Sequence, residues 1–188
     1  IDPKLLPLAD MNEKSDEDAR RVYAMVTNID DNLNQLFQKL EALGIEEETI
    51  VIFMTDNGPQ QARFVGGMRG RKSSVHRGGI RVPFFISYPS KYGGNREMNQ
   101  MAAHIDLLPT LSQLCGAPLP KDRKIDGRSF VPALEGKTLS ERSFFSYWTR
   151  KFPEKYNNVA LQRGNYKLVG KKDFDADVED FELYNLKE

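Results

Sequence analysis

Seven apolar residues at helical spacing, followed by an unbroken apolar run, constrain this chain more than any other feature. Val22, Val26, Ile29, Leu33, Leu36, Leu40 and Leu43 recur every three or four residues, which predicts a long amphipathic helix with one face to bury. Ser15 or Asp16 is placed to cap it and Gly44 to end it. After Glu46-Glu47-Glu48 comes Thr49-Ile50-Val51-Ile52-Phe53-Met54. A run of that kind, rich in β-branched residues, predicts a strand covered on both faces, as in a parallel sheet. Helix, short turn and buried strand make half of an α/β crossover. The strand ends on Asp56-Asn57-Gly58-Pro59, and open α/β sheets bind their ligands at the carboxyl ends of strands.

The rest of the chain divides by texture. Residues 60–79 form a polar, glycine-rich loop with Arg63, Arg69, Arg71, Lys72 and Arg77, and Val82 to Tyr88 is a second apolar strand. Ile105 to Leu114 has helical spacing, with Pro109 acceptable only in a first turn. From about Leu119 the segments shorten. Phe144 to Trp148 reads as a strand. Val159 to Gln162 and Tyr166 to Val169 flank Arg163-Gly164-Asn165, a three-residue hairpin turn, and Phe181 to Tyr184 adds a further strand. This predicts a small antiparallel subdomain after an α/β domain, with the opening segment, 1–14, irregular.

Composition excludes several classes. The chain is 39% hydrophobic and 29% charged, with 27 basic and 27 acidic residues, a globular composition rather than a disordered one. Zero net charge gives no general pull toward nucleic acid or anionic membrane, and no apolar run is long enough to span a bilayer. The single cysteine, Cys115, excludes an internal disulfide and a thiolate zinc site; its apolar setting predicts a small core residue. The first residue is Ile1 and no charged-then-apolar leader follows it, so the expectation is a removed native start or an internal fragment.

Several residues could carry chemistry. Asp56 and Asn57 offer hard oxygen donors suited to calcium or magnesium, yet Asx-Asn-Gly is also ordinary turn chemistry. Lys72, among glycines that let backbone approach a ligand, could meet an oxyanion with a compact positive charge, or the loop could simply be solvated. His76 could serve as acid or base near neutral pH, or hydrogen-bond at the surface. His104 reads as a helix-start residue. Phe144, Tyr147 and Trp148 could stack on a sugar ring, with core packing the first expectation.

Taken in order, Thr49 to Gly58 (TIVIFMTDNG), Gly70 to Ile86 (GRKSSVHRGGIRVPFFI), Ile105 to Leu111 (IDLLPTL) and Asp126 to Leu134 (DGRSFVPAL) resemble the arylsulfatase-like sulfatases of the alkaline-phosphatase-like superfamily. Val26 to Asp30 and Glu182 to Leu186 resemble them too, so the likeness covers nearly the whole chain. It implies a C-terminal part only: residues 1–118 as the end of the catalytic α/β domain, carrying part of its central sheet with flanking helices, and residues 119–188 as a small C-terminal α+β subdomain. Asp56 and Asn57 match the pair that ligates a divalent cation, usually calcium, and Lys72 matches the lysine that contacts the sulfate oxygens. His76 and Arg77 depart from the family's usual aromatic residue and glutamate, which bears on the substrate pocket.

The family's Cys- or Ser-x-Pro-Ser-Arg segment, whose first residue becomes the formylglycine nucleophile, does not occur in these 188 residues. The resemblance therefore implies hydrolysis of sulfate esters, on carbohydrate among others, by the whole enzyme and an inactive fragment alone. A phosphodiesterase or phosphonate hydrolase on the same scaffold is the near alternative, and a non-catalytic module binding sulfated glycans is the distant one. The family suggests a periplasmic, secreted or lysosomal setting. Truncation would expose apolar surface through which copies could associate.

Overall fold

The computed structural model describes residues 13–61, 65–150, 152, 155–172 and 176–187. The long helix read from the apolar spacing is α1 (Glu13–Ala42). It runs back past Ser15 and Asp16, so neither stands at its cap, and the irregular segment read for 1–14 lies outside the described residues up to residue 12. At the other end Gly44 adopts φ +64°. Ile45 N–H donates to the Leu40 carbonyl at 3.1 Å and Gly44 N–H to Glu41 at 2.8 Å, the pair of bonds a left-handed residue permits at a helix end. The apolar stripe is largely uncovered: Met25, Val26, Ile29, Leu36 and Phe37 are each 45% to 57% exposed. A stripe of this width is built for burial, and little of the described chain lies over it.

β1 (Val51–Met54) and β2 (Phe84–Ser87) form a two-stranded sheet. The pairing is antiparallel, from Val51↔Ser87 to Met54↔Phe84, which corrects the expectation of a parallel strand covered on both faces. All four β1 residues are half-buried. The apolar run fixed strand formation, but the direction of a neighbour depends on chain topology, which periodicity does not carry.

The connection between these strands holds the glycine-rich loop and a single helical turn, α2 (Arg77–Ile80). After β2, a 3-10 turn at His104–Asp106 leads into α3 (Leu107–Leu114), with Pro109 in its first turn as expected. Cys115 follows α3 and is exposed. It stands past the end of the buried helix face, which corrects its reading as a core residue.

The short helix α4 (Val131–Leu134) packs back on α3, around a buried acid. Asp106 accepts hydrogen bonds from the Ala103 and Arg128 backbone N–H groups, each at 2.9 Å, and is paired with Arg142. Thr110, fully buried, donates to the Asp106 carbonyl at 2.6 Å and accepts from Phe130 N–H at 3.1 Å.

The C-terminal sheet is an antiparallel meander of β3 (Ser143–Tyr147), β4 (Asn157–Arg163), β5 (Tyr166–Lys171) and β6 (Phe181–Asn185), in that order. Arg163 pairs with Tyr166, so the β4–β5 loop is Gly164-Asn165, two residues rather than the three expected. Gly164 at φ +53° lets a two-residue turn match the strand twist. Tyr147 and Trp148 are exposed, against the expectation of core packing. Phe144 is half-buried, with the Arg142 guanidinium 4.2 Å from its ring centroid. The chain is thus α/β, with a small antiparallel sheet at its C-terminal end.

Candidate active site

Two separate stretches are knitted together by backbone. Gly58 N–H donates to the Gly79 carbonyl and Lys72 N–H donates to the Pro59 carbonyl, both at 2.9 Å. These two bonds hold the Asp56-Asn57-Gly58-Pro59 turn against the loop that carries Lys72. Asp56 and Lys72 are exposed and Asn57 is half-buried along this seam. The approach is too close for side chains: a Cβ on Gly58 would lie 1.8 Å from the Gly78 carbonyl oxygen. On Gly78 it would lie 2.2 Å from the Gly70 oxygen, and on Gly79 2.1 Å from the Ser74 oxygen. The glycines that looked like ligand-cradling residues are first of all packing residues.

Within the turn, Asp56 Oδ1 accepts the Asn57 backbone N–H at 2.9 Å and Asn57 Nδ2 donates to the Gly58 carbonyl at 3.0 Å. The Asn57 amide nitrogen is thus engaged within the turn. A carboxylate and an amide oxygen are hard donors and suit a calcium or magnesium ion. Calcium takes about six to eight oxygens, so the pair fits as one part of a shell. Among the described residues no group of three or more His, Cys, Asp or Glu side chains could hold an ion.

The loop is held on its far side by the C-terminal sheet. Asn158 is the extra residue of a bulge in β4, between the pairs Asn157↔Lys171 and Val159↔Gly170, and has φ +53°. A bulge re-aims its side chain. Here Asn158 Oδ1 accepts Val75 N–H at 3.1 Å, while Nδ2 donates to Ser73 O at 2.8 Å and to Trp148 O at 3.1 Å. Lys167, 2% exposed, donates from Nζ to the Val75 carbonyl at 2.5 Å. Burial first, then the nearby Arg77 charge, lowers its pKa to about 8. Val75 itself packs with Ala160 and Val169.

His76 sits on that same side, edge-on to Tyr184 with ring centroids 5.8 Å apart. Burial, followed by the Arg69 and Lys171 charges, holds its pKa below the ordinary 6.5, which favours the neutral imidazole. Arg69 in turn bonds Tyr184 Oη at 2.5 Å and Glu182 at 3.3 Å. Hydrogen bonds from Lys171 and Tyr184 hold the Glu182 carboxyl down to about 2. The structure therefore brings Asp56, Asn57 and Lys72 to one seam and packs His76 on the sheet behind it. His104 begins the turn before α3, as expected.

Asn158 and Lys167 were not singled out in the sequence. Lys167 shares a strand face with the buried Val169, a period-two position at which a lysine is out of place. Asn157-Asn158 ahead of an apolar run is the kind of residue pair that tolerates a left-handed bulge.

Comparison with known proteins identifies the family. The profile described as "Sulfatase" matches residues 8–117, and that described as "N-sulphoglucosamine sulphohydrolase, C-terminal" matches residues 71–188. Human steryl-sulfatase is 34% identical over 68% of this chain and 24% of its own length. Human arylsulfatase A is 34% identical over 74% of this chain and 28% of its own. The N-acetylgalactosamine-6-O-sulfatase of Bacteroides thetaiotaomicron is 26% identical over 81% and 31%. Among solved structures, Ps i-CgsB in complex with k-i-k-neocarrahexaose superposes with a TM-score of 0.76 at 21% identity, over 95% of this chain and 38% of that one. A protein solved with its substrate D-glucosamine-2-N,6-O-disulfate gives 0.62 at 23%, over 86% and 32%.

The fold is α/β with a small four-stranded antiparallel sheet at its C-terminal end, as in these solved structures. The chain belongs to the sulfatase family, and it spans about a quarter of the length of the first two of these relatives. Among the described residues no helix is long and apolar enough to cross a membrane.

Proposed function

We propose that this chain supplies the C-terminal part of the active site of an enzyme that hydrolyses sulfate esters of sugars. In this reading Lys72 contacts the sulfate oxygens, and Asp56 and Asn57 are two ligands of a divalent cation, calcium before others. The nucleophile is a formylglycine on a part of the protein outside these 188 residues. A bound cation would add positive charge against the sulfate oxygens. The chain's own contribution is to hold the Lys72 ammonium where negative charge grows as the ester bond breaks.

The observation that supports this most is the backbone seam, Gly58 to Gly79 and Lys72 to Pro59, which ties the Asp56-Asn57 turn to the loop carrying Lys72. The relatives' printed activities and sugar ligands support the substrate class. His76, held toward its neutral form, packs behind the seam, and we give it a contact role rather than a proton-transfer step.

The test uses a protein joining this chain to a nucleophile segment. Lys72→Ala should cut kcat/KM for a sulfated monosaccharide about a hundredfold or more, while the exposed position leaves the melting temperature within about a degree. Unchanged turnover in Lys72→Ala, or preference for a phosphate diester over the sulfate ester, would overturn the reading.

A further inference from the structure

Lys72 is one of the two central residues of a tight turn. Ser74 N–H donates to the Arg71 carbonyl at 3.0 Å, so Lys72 and Ser73 stand at its second and third positions. Ser73 has φ +70°, while Lys72 is not among the residues of positive φ, which is the φ pattern of a type II turn. That form asks for glycine or asparagine at the third position, and a serine held there is strained. Serine is at ease in the type I form, whose third residue has φ of about −90°. Passing from one form to the other turns over the peptide plane between Lys72 and Ser73 and resets the backbone beside the lysine.

The strained residue is held from 85 positions away. Among the described residues three besides glycine have positive φ, and two of them, Ser73 and Asn158, are bonded to each other. Asn158 Nδ2 donates to Ser73 O at 2.8 Å and Oδ1 accepts Val75 N–H at 3.1 Å, while Lys167 Nζ donates to Val75 O at 2.5 Å. Two side chains of the C-terminal sheet therefore grip three backbone groups just after Lys72, and the Lys72 N–H itself is fixed to Pro59 O at 2.9 Å. We propose that Asn158 and Lys167 are positioning residues for Lys72: by gripping Ser73 and Val75 they keep Ser73 left-handed, so the sheet sets where the lysine stands without touching substrate. The inference rests on the reading of Lys72 as the sulfate contact and adds the residues that aim it. A clamp that only joined two parts of the fold would affect stability and turnover alike, whether or not the lysine were present.

A double-mutant cycle in the joined enzyme separates the two, with galactose 6-sulfate as substrate and each variant assayed well below its melting temperature. Asn158→Gly should lower kcat/KM about tenfold or more while Lys72 is present, with the loss falling on kcat. Once Lys72 is alanine, the same change should cost less than about twofold. The fall in melting temperature should be the same in both backgrounds. Adding Ser73→Gly to Asn158→Gly should recover most of the lost turnover, because glycine takes φ +70° without strain. Lys167→Met is the second variant, used where Asn158→Gly does not fold, and should show the same dependence on Lys72. An equal loss of turnover in both backgrounds, an unchanged kcat in the folded variants, or no recovery with Ser73→Gly would overturn the proposal. If Lys72→Ala alone leaves turnover unchanged, the sulfate reading of Lys72 falls and this inference with it. If Lys72→Ala is severe and the cycle is additive, only the positioning role falls.

Discussion

Lys167 reaches from the third strand of the C-terminal sheet to the carbonyl of Val75, closing a 2.5 Å hydrogen bond across 92 positions of sequence. The bond attaches the segment following Lys72 to a sheet formed much later in the chain. Its donor is a buried ammonium whose pKa is lowered to about 8, so it leaves a pH signature.

Between that value and the ordinary 10.5 the unfolded chain binds the Lys167 proton more strongly than the folded one. Stability therefore rises with pH through this window, because the folded state is relieved of a buried charge. Comparing urea unfolding of the wild type with Lys167→Met, the difference should shift in favour of the wild type between pH 8 and 10, by at most about 1.4 kcal/mol per pH unit. A difference that stays flat with pH would show that Lys167 titrates as if exposed.

Asn158 does two things that substitutions can separate. Glycine accepts φ +53° without strain but makes none of the three side-chain bonds. Asn158→Gly should destabilise the chain by about 1–3 kcal/mol through the unpaired Val75 and Ser73 groups. It should also speed amide hydrogen exchange at residue 75 more than in the β5–β6 ladder. Uniform acceleration along the whole sheet would mean that the bulge supports the fold generally and not the loop.

The glycine contacts set a sharper limit. Gly78→Ala places a Cβ 2.2 Å from the Gly70 oxygen and 2.9 Å from the Arg69 oxygen, so the loop must move. A loss of about 3 kcal/mol or more is expected. Gly93→Ala meets nothing within 4 Å and should fall within about 0.5 kcal/mol of the wild type. Similar melting temperatures for the two variants would refute the close-contact account.

Asp106 holds the 3-10 turn, the segment before α4 and Arg142 together from a fully enclosed position. Burial works to raise its pKa, but hydrogen bonds from Arg142, Arg128 N–H and Ala103 N–H outweigh it, and the value lies below 3.8. Its stabilisation is present above the ordinary carboxylate range and disappears as pH falls below about 3.8. Asp106→Asn should cost about 3–5 kcal/mol at pH 7, since Arg142 is left without its partner. The gap between variant and wild type should narrow on acidification, as calorimetry at pH 7 and pH 3 would show.

Much of this was legible from residues alone. The α1 period, the Gly44 stop and the order of the short strands all follow from local pattern. Three features did not. The antiparallel β1–β2 pairing depends on chain routing. The exposure of Cys115, Tyr147 and Trp148 depends on what packs over them. The clamp by Asn158 and Lys167 joins residues more than 80 positions apart, and no local period encodes such a contact.

The backbone-on-backbone packing at Gly58, Gly78 and Gly79 bears on redesign. Those positions have no space to vary, so the loop that carries Lys72 behaves as a fixed die. Trp148 and Arg150, by contrast, carry exposed side chains that can be exchanged with the strand pairing kept. An engineer altering this protein would find more freedom at such exposed positions than anywhere in the loop.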